Sequence, residues 1–131
     1  MAGWGTGSFE NDDVMDWVAE LKTLAPADLA KILAQAADDP AYLEAPAASV
    51  ALGAAEVVAT LNGSPAASAP QEIEQWVKRH PQTLTPQLKD VALRATERVR
   101  RNSELKDLWM EAEGLTDWIE AVKDLQARLS G

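Results

Sequence analysis

The stretch from Ala45 to Leu61 constrains this chain more than any other. It is rich in alanine and carries one charged side chain, Glu56. Asn62-Gly63 follows, a pair that stops helices. A helix that is apolar on nearly every side is stable only when other helices enclose it. Its alanines let those neighbours approach closely. The same run is too short and too weakly apolar to span a bilayer, and Glu56 interrupts it. The remaining sequence therefore has to supply the enclosing helices.

It contains the pieces to do so. Asn11 is a good N-cap, and Asp12 and Asp13 then fall in a first turn, where acids favour the helix dipole. Val14, Trp17, Val18 and Leu21 form an apolar stripe, which predicts a helix from Asp12 to about Leu24. Pro26 opens a second helix striped by Leu29, Ile32, Leu33 and Ala36, and Asp38-Asp39-Pro40 closes it. After the alanine-rich third helix, residues 63–69 have loop composition. Pro70 starts a short fourth helix with Ile73, Trp76 and Val77 inward. Thr85-Pro86 is an N-cap followed by proline, and it opens a fifth helix striped by Leu88, Val91, Ala92, Ala95 and Val99. Asn102-Ser103 resets the chain before Leu105, Leu108 and Trp109. Gly114 divides that helix from a last one carrying Trp118, Ile119, Val122, Leu125 and Leu129, although one long kinked helix also fits the periodicity. No alternating run reads as a strand. The expectation is an all-α fold: a single domain over residues 1–131, built as a compact bundle of about six helices. A glycine- and aromatic-rich N-terminal arm packs on its core. At 131 residues such a domain buries about two-thirds of its unfolded surface and needs no covalent staple.

Charge and composition remove several function classes. The net charge is −9, and residues 1–65 carry most of it, with ten acids against Lys22 and Lys31. Such a chain repels phosphate backbones, which argues against nucleic acid as a partner. It suits a basic protein partner. There is no cysteine and one histidine, His80, so thiolate chemistry and multi-histidine metal sites are excluded. No catalytic residue, metal site or cofactor is predicted. The start of the chain lacks the basic and apolar regions of a secretory signal, and the expected location is cytoplasmic, with no membrane association. The residues specify no oligomeric state.

The N-terminal run Gly3-Trp4-Gly5-Thr6-Gly7-Ser8-Phe9 misses the dinucleotide fingerprint in spacing, and no strand precedes it. Asp12 and Asp13 also oppose a phosphate at the helix start. The run reads instead as a structural clasp, with Trp4 and Phe9 turned onto the core and Asn11 capping the first helix. Asp12, Asp16 and Glu20 recur at i+4 steps on one face, as a solvated face or a partner- or cation-binding surface. Glu56, if buried, must be paired or protonated; it lies on a thin polar edge with Ser49, Gly53 and Thr60, or pairs with an arginine of the fifth helix. Arg94, Arg98 and Arg101 share a face there, as an anion clamp or as ion pairs that also complement the dipole.

The residues Gly5-Thr6-Gly7-Ser8-Phe9-Glu10-Asn11-Asp12-Asp13, with Asp16-Trp17 a turn later, resemble the N-terminal signature of a bacterial family catalogued as domain of unknown function 4259. Ala54-Ala55-Glu56-Val57-Val58-Ala59, Asn102-Ser103-Glu104-Leu105 and Leu108-Trp109 are similar to it as well. The resemblance implies a helical bacterial protein and brings no activity with it. It marks Trp4, Phe9, Asn11, Asp12, Asp16, Trp17 and Glu56 as motif positions.

Two function classes remain. The first is a non-enzymatic interaction protein, immunity- or antitoxin-like, whose acidic half masks a basic partner. The second is a small-molecule or ion site between helices, with Asp12, Asp16 or Glu56 facing Arg94 or Arg98 and a tryptophan such as Trp17.

Overall fold

The computed structural model describes residues 6–131; the placement of Trp4 lies outside them. Every regular element among the described residues is helical. The alanine-rich stretch forms α3 (Ala45–Leu61), and its residues 51–59 are all buried. Six further α-helices surround it: α1 (Asp12–Ala19), α2 (Pro26–Asp38), α4 (Gln71–Arg79), α5 (Pro86–Arg101), α6 (Glu104–Glu111) and α7 (Leu115–Ser130). α3 packs against each of the six. The low side-chain bulk of Ala48, Ala51, Ala54, Ala55 and Ala59 makes this enclosure possible. α5 completes the frame by packing on α2 and α7. The apolar side chains of all seven helices merge into one contiguous core, which includes Trp17, Trp76, Trp109 and Trp118.

The helix starts follow their caps. Asn11 Oδ1 accepts from the Val14 N–H at 3.0 Å, Thr85 Oγ1 from Leu88 at 3.0 Å, and Ser103 Oγ from Lys106 at 3.1 Å. Each satisfies an N–H that the first turn leaves without an intrahelical partner. α3 stops in a Schellman arrangement: Gly63 adopts φ 81°, and the Ser64 N–H reaches the Ala59 carbonyl at 2.9 Å.

The helix count and one boundary differ from the sequence reading. The described residues hold seven α-helices rather than about six. The break near Gly114 is real: the α6 terminus is a second Schellman turn, with the Gly114 N–H bonded to the Trp109 carbonyl at 3.0 Å. Its left-handed residue is Glu113, at φ 61°. The first helix also ends early, at Ala19, followed by a 3-10 turn over Leu21–Thr23. The Thr23 hydroxyl donates to the Glu20 carbonyl, and the Leu24 carbonyl receives the Trp76 indole N–H at 2.9 Å. That tertiary bond holds Leu24 extended, where a continued α-helix would have needed its backbone.

Candidate functional site

The N-terminal motif places its residues in two environments. Phe9 is half-buried against the core, and Asn11 caps α1. Val14, Trp17 and Val18 are buried, and α1 lies directly on α3 at Gly53. A Cβ at Gly53 would stand 2.5 Å from Val14 Cγ2 and 3.4 Å from the Trp17 ring. Asp12, Asp16 and Glu20 point the other way and are exposed. None of them forms an ion pair among the described residues. Met15, between them, is 38% exposed.

The edge expected to be thinly polar is buried. Ser49 is 1% exposed and Glu56 3%, because α1 covers one side and α7 the other. Glu56 does pair with an arginine, though not with one of the fifth helix: its partner is Arg128 of α7. Arg128 Nη1 donates to Glu56 Oε1 at 2.7 Å and Nη2 to Oε2 at 3.0 Å. Nη1 also reaches the Ser64 carbonyl at 3.3 Å, and Nε donates to Asp124 Oδ2 at 3.0 Å. Hydrogen bonds from Arg128 to Glu56, then the charges of Glu56 and Asp124, raise the guanidinium pKa despite burial. This bidentate geometry is the strong form of an arginine–carboxylate pair. It ties α3, α7 and the following linker together.

The ion pair floors a cleft of about 280 Å³. Gly7, Ser8 and Phe9 form one wall, residues 65–68 a second, and Ala121, Asp124 and Arg128 a third. Two segments singled out separately in the sequence, the glycine-aromatic arm and the Glu56 stretch, thus meet at one place. Arg128 and Asp124 were not among the residues predicted for a site. Their i,i+4 spacing on the last helix was a visible sign of a pair, but nothing in the sequence directed it to Glu56, 72 residues away.

The other predicted participants lie elsewhere. Arg94 Nε bonds Asp90 at 3.0 Å and its Nη1 bonds Asp38 at 2.8 Å, all three largely exposed. Arg98 is committed to carbonyls: Nε to Asn102 at 3.1 Å, Nη2 to Ala41 at 2.6 Å, and Nη1 to Asp39. It holds the connector between α2 and α3 in place. Arg101 pairs with Glu97. A pocket in which Asp12, Asp16 or Glu56 faces Arg94 or Arg98 is therefore not formed, because these arginines already have partners near α2. A cavity of about 800 Å³ lies between α2 and α3 against Ile32, Leu43, Pro46 and Val50, and holds none of the predicted residues. Trp17 is a core residue rather than a cavity wall. His80 stacks on Trp76 at 4.3 Å between ring centroids, with Nδ1 2.9 Å from the Trp76 carbonyl. Among the described residues no three histidine, aspartate or glutamate side chains converge as a metal ion would require. None of the helices there is long and apolar enough to cross a membrane.

Fold and site together define an all-α protein enclosing an alanine-rich helix, with a buried ion pair beneath an N-terminal cleft. The chain belongs to the family described as domain of unknown function (DUF4259), which matches residues 3–121. No curated protein and no solved structure matches it.

Proposed function

We propose that this chain is a non-enzymatic interaction module whose exposed α1 face docks a basic protein. One contrast carries the reading. Elsewhere the acids near arginines are ion-paired: Glu56 and Asp124 share Arg128, Glu97 is held by Arg100 and Arg101, and Asp38 and Asp90 share Arg94. On α1 and at its C-cap, Asp12, Asp16 and Glu20 stand exposed and unpaired among the described residues at i+4 steps, beside the partly exposed Met15. Like charges at i,i+4 cost a few tenths of a kcal/mol. An opposite charge on a partner recovers that cost and steers association. An immunity- or antitoxin-like protein masking a basic toxin is the specific form proposed. A bacterial cytoplasm is the proposed setting, which the cysteine-free composition suits.

The test is affinity capture from cells that encode the protein, at about 0.05 M and about 0.5 M salt. A basic protein is expected at low salt, lost at high salt, and lost with the triple variant Asp12→Asn/Asp16→Asn/Glu20→Gln, whose melting temperature stays near that of the parent. Identical capture by parent and variant refutes the reading.

A second reading, a small-molecule or ion site, is favoured by one observation: a buried carboxylate, Glu56, and the half-buried guanidinium that holds it open onto a cleft rather than onto packed side chains.

A further inference from the structure

We propose that the Glu56–Arg128 cleft is a socket for an alkylammonium or guanidinium group. The inference rests on the second reading above and supplies its ligand class.

The hydrogen-bond inventory points to a donor-rich cation. Arg128 has five N–H donors, and four are committed, to Glu56 Oε1, Glu56 Oε2, Ser64 O and Asp124 Oδ2. One is left for a ligand. Acceptor capacity is larger. Each Glu56 oxygen takes one bond from Arg128 and can take another. Asp124 Oδ1 has no partner among the described residues, and the Ser8 and Ser68 hydroxyls line the mouth. Two carboxylates against one guanidinium leave the cleft one formal negative charge. An incoming anion would meet the net negative charge of Glu56 and Asp124, with one spare guanidinium N–H and the two serine hydroxyls to receive it. A multivalent metal ion would find too few converging ligands.

The walls suit the rest of such a ligand. Phe9 is half-buried at the rim, and an aromatic face attracts a cation. Pro65, Ala66, Ala67 and Ala121 offer a methylene stem apolar surface. The volume, about 280 Å³, lies just below the usual range for whole small-molecule sites, roughly 300–1,000 Å³. It accommodates one charged head with its stem. That chemistry has two sources, a free amine or the side chain of a lysine or arginine on another protein.

Titration followed by NMR of the Arg128 Hε and Phe9 ring signals tests the proposal with four probes. These are butylammonium, N-acetyl-lysine methylamide, N-acetyl-norleucine methylamide and N-acetyl-glutamate methylamide. The two cations are expected to shift both signals saturably, and norleucine to shift neither. Asp124→Asn, at an exposed position that leaves the buried pair intact, is expected to weaken cation binding about fivefold, the size of one screened ion pair. Tighter binding of the lysine derivative than of butylammonium assigns the socket to a side chain; equal binding assigns it to free amines. Equal shifts by norleucine, or cation binding unchanged in Asp124→Asn, overturn the proposal. Binding of the glutamate probe alone overturns the cation assignment and leaves the small-molecule reading standing. Silence from all four overturns both.

Discussion

Gly53 shows how one residue sets a helix–helix distance. A glycine in mid-helix ordinarily costs about 1 kcal/mol relative to alanine. Here the missing Cβ is where Val14 sits, 2.5 Å from the position that an alanine methyl would take. Val14 is fully buried and cannot swing into solvent. Gly53→Ala should therefore destabilise, by about 1–3 kcal/mol, as overpacked cores do, in spite of the gain in helix propensity. Val14→Ala in the same chain should return part of the loss, since contacting sites couple. Urea melts of the two single variants and the double variant check this. A stabilised Gly53→Ala protein would show that α1 can move off α3 at little cost. The Glu56–Arg128 pair behaves differently: removing Arg128 leaves the buried Glu56 carboxylate uncompensated, and that typically costs about 3–5 kcal/mol, whereas removing Glu56 leaves Arg128 its bond to Asp124.

At the scale of elements, the turn joining α6 to α7 holds a left-handed glutamate where glycine is the usual choice. Glu113 has φ 61°, and Gly114 follows it. The order has a packing cause. A Cβ on Gly114 would lie 2.7 Å from the Trp109 ring, so position 114 must be glycine for the indole to bury. Glu113 is exposed and tolerates its conformation at a penalty of about 1–2 kcal/mol. Glu113→Gly is expected to raise stability by about 0.5–1 kcal/mol, the greater unfolded-state entropy of glycine taking back part of the gain. Gly114→Ala should lower it. Thermal melts showing the opposite order would refute this account of the turn.

For the whole molecule, charge makes stability depend on pH at both ends. Glu97 is hydrogen-bonded by Arg100 first, then Gln126 and Arg101, and its pKa falls from 4.5 to about 2. A folded-state value below the unfolded one contributes stability that is complete above about pH 4.5 and is lost as pH falls toward 2. At the other end, the hydrogen bond to Asp107 pushes Tyr42 up to about 12 from 10.0. The folded chain then holds a proton that the unfolded chain releases. That contribution is complete below pH 10 and disappears as pH rises through 12. Urea midpoints measured from pH 2 to 12 are expected to fall at both ends. Glu97→Gln should flatten the acid limb and Tyr42→Phe the alkaline one. A limb unchanged by its variant would remove that group from the account.

Much of the fold was legible because its signals are local. Helix stripes repeat within a turn, and Asn11, Thr85 and Ser103 cap within three residues. The alanine-rich stretch announced its central place through its lack of a polar face. What the sequence could not carry was the pairing of distant charges. Arg94, Arg98 and Arg101 looked like one clamp because they share a face of one helix, yet α2 and its connector engage Arg94 and Arg98 through Asp38, Asp39 and Ala41, while Arg101 pairs with Glu97 of its own helix. Glu56 required a partner by the cost of burying a charge, but several arginines could satisfy it. Only the packing of α7 beside α3 chose Arg128, and only that choice brought the N-terminal arm and the buried carboxylate to one cleft. By itself, then, the sequence determined an all-helical chain wrapped about Ala45–Leu61, since periodicity and capping act over a few residues. The tertiary structure decided which acids are paired with arginine and which, those along α1 among them, are not, since charge pairing depends on proximity in space and not on position in the chain.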